Sequence, residues 1–256
     1  MTYRKLALAI GLVALFMWSC GDDDPAEPTP TPPPGPDKVT ISPEKDNTLY
    51  EPAPSEASNG AGNSFYVGKT AGPYGRSDPE PRIRRGLVQF DIAGSGIPAA
   101  STIDSVCLEI EVTKLPNSDL GEPPRHAVVN LHRAQSSWGE SGTQAGGGGG
   151  TPFAGDATWT YRFFDTQAWT TPGGDFVGVS SAGVLVDGIG VFKWGSTSQM
   201  TTDVQLWLDT PGINHGWVLV GGEAATDTLT AKEFASRENQ ALGDKSPKLT
   251  IYYTKP

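Results

Sequence analysis

The stretch Thr102-Ile-Asp-Ser-Val-Cys-Leu-Glu-Ile-Glu-Val-Thr-Lys114 has the most regular alternation of apolar and polar residues in the chain. Every second residue from Val106 to Val112 is aliphatic, while Glu109 and Glu111 lie between them. Successive side chains of a β-strand point to opposite faces, so this pattern predicts an antiparallel strand with one buried and one solvated face.

Similar but shorter patterns flank this strand on both sides. They predict further strands at 39–42, 48–50, 64–69, 85–92, 127–133, 157–164, 190–194, 217–220, 232–235 and 248–253. One helix is predicted at 201–208, with Ser198 as its N-cap. The 32 glycines and 22 prolines among 256 residues are typical of a turn-rich all-β protein. The sequence therefore predicts one large β-sandwich with long loops and one short helix.

The first twenty residues have the pattern of a secretory signal. Arg4 and Lys5 precede an apolar run at 6–18, which is too short to span a membrane as a helix. Ser19 and Cys20 follow, and a small residue directly before a cysteine resembles the bacterial lipobox. This predicts a signal peptide at 1–19 and lipid attachment at Cys20. The alternative is an ordinary signal peptide cleaved nearby, with Cys20 incidental.

Residues 20–37 are predicted to form a disordered tether between the lipid and the domain at 38–256. Three aspartates follow Cys20, and seven prolines lie within 25–36, so the segment has no apolar face to bury. An acidic patch after a lipidated cysteine resembles the surface-export signal of some bacterial lipoproteins. It predicts an outer-membrane, outward-facing protein that contacts the membrane through its lipid anchor only. The alternative is a merely solvated tether.

Composition also argues against several classes of function. A formal net charge of −10 makes nucleic-acid binding improbable. Two cysteines are too few for a disulfide scaffold. His126, His132 and His215 lack metal-ligand spacing, and no combination of nucleophile, base and orienting residue is evident. We therefore predict a protein that is not an enzyme and has no catalytic residues.

A set of short motifs resembles the DNRLRE-type domain, which is related to disaggregatase repeats and to carbohydrate-binding modules. They are DNTLYE at 46–51, RGLVQFD at 85–91, SWGE at 137–140, GDATW at 155–159, NHGW at 214–217 and FASRE at 234–238. The resemblance covers about 38–256 and implies a jelly-roll-like β-sandwich in a secreted or cell-surface protein. Some relatives bind acidic polysaccharide such as alginate, so the resemblance implies a polysaccharide or another cell-surface ligand as partner.

Aromatic residues are the first candidates for ligand contact. Trp138 and Trp169 lie in turn-rich stretches, and exposed rings there would stack on sugar rings. Trp159, Tyr161 and Phe163 recur at every second position and would share one strand face. The alternative is that these large rings fill the core of the sandwich.

Arginines are the second candidates. Arg82, Arg84 and Arg85 concentrate positive charge on an acidic chain, and alternation puts Arg82 and Arg84 on the same strand face. Guanidinium groups bind carboxylates and sulfates through two parallel hydrogen bonds, which favours an acidic glycan. The alternative is that they only protect a strand edge from pairing with other chains.

Oxygen ligands are the third candidates. Asp46, Asn47 and Glu51 lie near the start of the domain, and such side chains could hold a structural calcium ion. No other cofactor is predicted. The alternative is that these residues serve ordinary turns. Arg237 and Glu238 are predicted to lie on adjacent strand positions and to point to opposite faces, each with a structural partner.

Two functions therefore remain open. The first is a non-catalytic glycan-binding or adhesion module on the cell surface. The second is a structural protein of the cell envelope that binds protein partners and no sugar. The second predicts that the tryptophans are buried.

Overall fold

The computed structural model of the protein describes residues 35–71, 80–116 and 123–256. Within this part, Pro36–Pro256 forms a compact unit that contains thirteen strands and one α-helix, α1 (Ser198–Asp209). The strands are β1 (Asp37–Ile41), β2 (Lys45–Tyr50), β3 (Ser64–Lys69), β4 (Ile83–Gln89), β5 (Thr102–Lys114), β6 (Ala127–Arg133), β7 (Tyr161–Phe163), β8 (Gln167–Ala168), β9 (Ala182–Val186), β10 (Gly190–Trp194), β11 (Trp217–Gly221), β12 (Lys232–Ala235) and β13 (Lys248–Thr254).

Eleven of these strands form one curled antiparallel sheet that folds into two layers. Layer A has the order β1-β13-β5-β12-β3, and β10 also pairs with β5. Layer B has the order β2-β4-β11-β6-β9, and the pairing of β3 with β4 joins the two layers. The chain therefore has the predicted all-β, sandwich-like fold with one short helix.

The strand β5 lies in the middle of layer A, at the bounds predicted from its alternation. Its aliphatic face, from Val106 to Val112, is buried. On the opposite face Glu109 pairs with Lys193, and Glu111 pairs with Lys245 at 2.5 Å. The two glutamates are thus a solvated strand face, as predicted.

The main core lies between the two layers and contains aliphatic and aromatic side chains from both. Phe65 of β3 stacks on Phe234 of β12 with ring centroids 5.4 Å apart. Trp217 of β11 meets Trp207 of α1 edge to face at 4.6 Å. The helix therefore contributes directly to the core, with Met200, Val204 and Trp207 fully buried.

The helix begins three residues earlier than predicted, and its cap is a different residue. Thr197 adopts an extended conformation, and its hydroxyl accepts a hydrogen bond from the Met200 amide. Ser198, the predicted cap, is the first helical residue. Serine and threonine are both favoured N-cap residues, so the sequence fits a cap at position 197 or 198. The extended backbone of Thr197 makes it the cap.

The central strands of layer B are buried on both faces. Val88, Trp217 and Leu219 face the main core, whereas Leu87 and Val218 face away from it. This outer face is covered by the long connection between β6 and β9, which contributes Ala134, Trp138, Ala157 and Trp169 to a second core. Loops therefore cover the outer face at β4 and β11, whereas Val128 of β6 and Leu185 of β9 are exposed.

Some strand predictions are wrong. The stretch 157–164 forms a strand only at Tyr161–Phe163, because Ala157 donates to Gly139 O and Thr158 donates to Tyr161 O in a turn. The short strands β8 and β9 were not predicted. In β9, the pairing with β6 establishes the strand in a glycine-containing stretch with little alternation.

The predicted signal peptide, Cys20 and the tether as far as residue 34 lie outside the described residues. Among the residues that the structure describes, no helix has the length and apolar character needed to cross a membrane.

Candidate functional site

Trp138 and Trp169 belong to the second core. Their exposed fractions are 1% and 4%, and both rings cover the outer face of layer B. The indole N–H of Trp138 donates to His215 O at 2.9 Å, and that of Trp169 donates to Thr158 O at 2.8 Å. The prediction that these two rings could stack on a sugar is corrected here, because neither ring presents a face to solvent.

Trp159 is half-buried and lies under Arg85. The Arg85 guanidinium lies 5.0 Å from the Trp159 ring centroid and 5.3 Å from that of Phe176. Its Nε and Nη2 donate to the two carboxylate oxygens of Glu223 at 2.9 and 2.7 Å, and Nη1 donates to Gly173 O. Because Nε, Nη1 and Nη2 of Arg85 all donate hydrogen bonds within the domain, the guanidinium does not present a pair of N–H groups to a ligand.

The other two arginines do not extend this site. Arg84 is 8% exposed, and its guanidinium lies 4.8 Å from the ring centroid of Tyr50. Arg84 and Arg85 are consecutive in β4, so their side chains leave opposite faces of the strand. Arg82 precedes the strand, and its amide donates to the hydroxyl of Thr70. The three predicted arginines therefore do not form one cationic surface.

The three predicted calcium ligands also separate. The side-chain oxygen of Asn47 accepts from the Thr48 amide, and its NH2 group donates to Ala157 O. Glu51 accepts from the Ile83 amide at 2.8 Å. Asp46, 1% exposed, lies in a different group of side chains. Asn47 and Glu51 therefore cap backbone groups, the ordinary role that was the alternative for them.

The group around Asp46 is a cluster of three carboxylates and one guanidinium, here called the carboxylate cluster: Asp46, Glu140, Arg237 and Glu238. One oxygen from each carboxylate lies within 4.8 Å of the others. Nη2 of Arg237 contacts both Glu140 and Glu238 at 2.7 Å. Backbone amides complete the group, since the Asp46 amide donates to Glu140 and the Arg237 amide donates to Asp46.

Close contacts hold the members of the carboxylate cluster in place. Arg237 and Glu238 lie in a 3-10 turn at Arg237–Leu242 rather than on a strand, so they pair with each other instead of pointing apart. Gly139 precedes Glu140, and a Cβ at this glycine would lie 1.9 Å from Gly155 O. A side chain at position 139 would therefore displace Glu140 from Asp46.

Burial changes the acidity of this cluster. It raises the pKa of Asp46 well above its ordinary value, and the charge of Glu238 raises it further. Burial also raises the pKa of Glu140 to about 7, against the Asp46 amide and the Arg237 charge, which lower it. The cluster is thus short of positive charge and favours a bound proton near neutral pH.

These residues are a poor fit to a calcium site. Hard oxygen ligands suit calcium, but here the guanidinium of Arg237 already lies within 2.7 Å of two of the three carboxylates. A calcium ion bound through Asp46, Asn47 and Glu51 together would require them to leave their present partners. We therefore assign calcium no role in this cluster.

A cavity of about 980 Å³ lies elsewhere in the domain. We call it the glycine-loop cavity, because the run Gly146–Gly150 forms one of its walls. Tyr66 of β3, the end of β2 and the strand β12 form the others. Its volume is typical of sites that bind small molecules or several sugar units.

The glycine run lies flat against two tyrosine rings. A Cβ at Gly147 would be 3.4 Å from the Tyr66 ring, and one at Gly149 would be 3.2 Å from the Tyr50 ring. The Tyr50 hydroxyl donates to Gly146 O, and Gly150 exchanges two backbone hydrogen bonds with Ser58. The glycine run is therefore held at both ends, with its backbone polar groups at the cavity wall.

A second cavity of about 530 Å³ lies beside Arg85. Its wall includes Asp175, whose carboxylate accepts from Ser136 and from the amides of Thr170 and Thr171. The Asp175 carboxylate and its donors already hydrogen-bond with one another, so this cavity offers a ligand fewer hydrogen-bonding groups than the glycine-loop cavity does.

The carboxylate cluster and the two cavities have different lining residues. Glu140, with a pKa near 7, has the acidity of a general acid, and Asp46 and Glu238 lie nearby. Neither of the two cavities, however, includes a member of the carboxylate cluster among the described residues that line it. A substrate bound in either cavity would not contact these carboxylates.

The sequence patterns did not indicate that Glu140 is a partner of Asp46 or that Tyr66 lines a cavity. The separation of 94 residues between Asp46 and Glu140 hides their contact. A signal was nevertheless present in the sequence, because Glu140 lies in the quoted motif SWGE and Glu238 lies in the quoted motif FASRE. Three of the six quoted motifs, at 46–51, 137–140 and 234–238, supply the residues of the carboxylate cluster.

No protein-family model matches the chain, and a search of curated proteins finds no match either.

Proposed function

We propose that the chain is a non-catalytic lipoprotein module of the cell surface that binds extracellular polysaccharide. The observation that carries this proposal is the glycine-loop cavity, where backbone amides and carbonyls lie next to the ring of Tyr66. Sugar recognition combines an aromatic face with several hydrogen-bonding groups, and this cavity supplies both. The resemblance to DNRLRE-type domains supports the same reading and stays a prediction.

The binding test uses the mature chain on immobilised polysaccharides. We expect retention on at least one polysaccharide and competition by the same polysaccharide in solution. Retention on none of a broad set of plant, algal and bacterial polysaccharides would contradict the proposal. Incubation with each polysaccharide should release no reducing ends, and release above the level of the buffer would contradict the non-catalytic assignment.

The lipid anchor is the second part of the proposal, and Cys20 carries it. We expect the wild-type chain, expressed in a Gram-negative host, to incorporate labelled palmitate and to partition with membranes. The variant C20A should do neither, whereas C107A should behave as wild type. Protease shaving of intact cells then tests surface display, since an outward-facing domain is removed and a periplasmic one is protected.

An alternative function is favoured by a specific observation. The burial of Trp138 and Trp169 is the outcome expected of an envelope protein that binds protein partners and no sugar. Under that alternative, the chain is retained on no polysaccharide but is recovered in cross-linked complexes with other envelope proteins.

A further inference from the structure

The glycine-loop cavity carries charges of both signs, with an excess of negative ones. The described residues that line it include four glutamates and three cations, Glu51, Glu56, Glu80 and Glu233 against Arg84, Lys114 and Lys232. The arginine-rich stretch at 82–85 predicts a positively charged site, so the net charge of these lining residues has the opposite sign. The chemistry of a ligand for the cavity follows from where these charges lie.

Two of the cations are buried by their own neighbours. Arg84 is 8% exposed and lies over the Tyr50 ring. Lys232 is 1% exposed, and its Nζ donates to Arg125 O at 2.9 Å and to Thr230 O at 3.0 Å. Burial lowers the pKa of Lys232 to about 8. Among the described lining residues, Lys114 is thus the cation with an exposed side chain.

Two of the carboxylates, in contrast, accept hydrogen bonds from hydroxyl groups. Glu233 accepts from the Ser64 hydroxyl at 2.9 Å and from the Tyr66 hydroxyl at 3.3 Å. Glu56 accepts from the Thr160 hydroxyl at 2.6 Å. Each carboxylate oxygen has two lone pairs, so such groups can accept from further hydroxyls. Sugar hydroxyls are donors of this kind, whereas the carboxylates or sulfates of an acidic sugar would meet like charge.

The glycine run forms an uncharged and polar part of the wall. Gly148 has no atom within 4 Å of its Cβ position, so its backbone borders open space. The ring of Tyr66 is half-buried beside it. Uncovered peptide groups and one aromatic ring suit an uncharged sugar chain, which donates and accepts without needing a counter-charge.

We infer that the ligand of the glycine-loop cavity is an uncharged polysaccharide and not an acidic one. This inference rests on the proposed function, which it deepens by naming the class of ligand and the site that takes it.

The test compares uncharged, acidic and basic polysaccharides, with galactomannan and laminarin, alginate and chondroitin sulfate, and chitosan as the probes. The wild-type chain should be retained on one or both uncharged probes, and its retention should persist in 0.5 M NaCl. Salt persistence distinguishes this binding from adsorption by charge, which is screened at that ionic strength.

Two matched variants locate the site. G148W places a large side chain in the cavity at a position with open space around Cβ, and we expect at least a tenfold loss of affinity. G188W makes the same change in the turn between β9 and β10, also with open space, and should bind as wild type. Circular dichroism and melting temperature confirm that both variants fold.

Each outcome separates the inference from the proposed function. Retention on the acidic probes alone, or on chitosan alone, overturns the inference and leaves polysaccharide binding intact. Equal binding by G148W and wild type overturns the assignment of the cavity. Retention on none of the probes overturns the inference, and the broad set of polysaccharides then decides whether the proposed function falls with it.

Discussion

Two aspartates of this domain are equally buried but have opposite surroundings. Asp203 of α1 and Asp46 of β2 are each 1% exposed. Asp203 accepts from the Ser181 hydroxyl at 2.5 Å and from the Trp217 indole at 3.1 Å, and it pairs with Arg133 at 3.2 Å. Asp46 lies among Glu140 and Glu238, with a single guanidinium between those two.

This difference shows that burial alone does not define the role of a carboxylate. Around Asp203 every neighbour donates, so the charge fastens the helix to layer B of the sandwich. Around Asp46 like charges accumulate, so the ionised form is penalised and a proton is favoured. The first region is therefore expected to depend on its charge, and the second to be relieved when a charge is removed. Four substitutions test this contrast.

The largest effect is expected for D203A. It leaves Arg133 without its partner and the Trp217 indole and Ser181 hydroxyl without an acceptor, which should cost about 3–5 kcal/mol of unfolding free energy. Urea denaturation followed by tryptophan fluorescence measures it. D104A, at an exposed aspartate of β5, is the control and should stay within about 0.5 kcal/mol of wild type. A loss below about 1 kcal/mol for D203A would break the comparison.

The next largest effect is the pH dependence carried by Glu140. Its pKa is about 7 in the folded chain and about 4.5 in the unfolded chain, so the folded state binds the proton more tightly. Its stabilising contribution is complete below pH 4.5 and is lost as pH rises through 7, by up to about 3 kcal/mol.

The variant E140Q should flatten this slope, because glutamine keeps an acceptor for the Asp46 amide but does not titrate. Denaturation at pH 5.0 and 7.5 measures the difference. E109Q, on the solvated face of β5, should keep the wild-type slope. An unchanged slope in E140Q would show that the cluster does not hold a proton in this range.

A smaller effect, of opposite sign to that of D203A, is expected for D46N. The amide oxygen of asparagine can still accept from the Arg237 amide, while the repulsion from Glu140 and Glu238 disappears. The melting temperature at pH 7.5 should rise, by less than the fall expected for D203A. A fall in melting temperature would mean that the ionised Asp46 stabilises the fold after all.

The smallest effect is expected for T197A at the start of α1. It removes the cap on the Met200 amide and should cost about 1 kcal/mol. T202A, an exposed helical threonine, is the control and should change stability by less than half as much. If S198A and not T197A destabilises the chain, the cap assignment is reversed.

Much of the fold could be predicted because alternation reports which face of a strand is buried. Strands β3, β5, β6, β10 and β12 have the predicted bounds. Prediction failed where a contact distant in sequence overrides local pattern, as in the stretch 157–164, where hydrogen bonds to Gly139 and within a turn divert the chain. The rings of Trp138 and Trp169 were ambiguous for the same reason, since only tertiary packing places a loop over layer B.

The candidate sites were predicted less well than the fold. The sequence singled out Asp46, but its partners Glu140 and Arg237 are 94 and 191 residues away. The arginines at 82–85 were read as one cluster, whereas two of them leave opposite faces of β4. Charge along the chain therefore did not predict charge at the cavity, where Glu233 comes from a distant strand.

By itself, the sequence determined the class of fold, because hydrophobic alternation is a local pattern that the chain carries without folding. The signal peptide and the lipid anchor stay predictions from a second local pattern, at the N-terminus. The tertiary structure decided which aromatic rings are buried, which carboxylates meet and which charges line the cavity. Those properties depend on burial and on distances between residues remote in sequence, and both exist only when the layers and loops have packed.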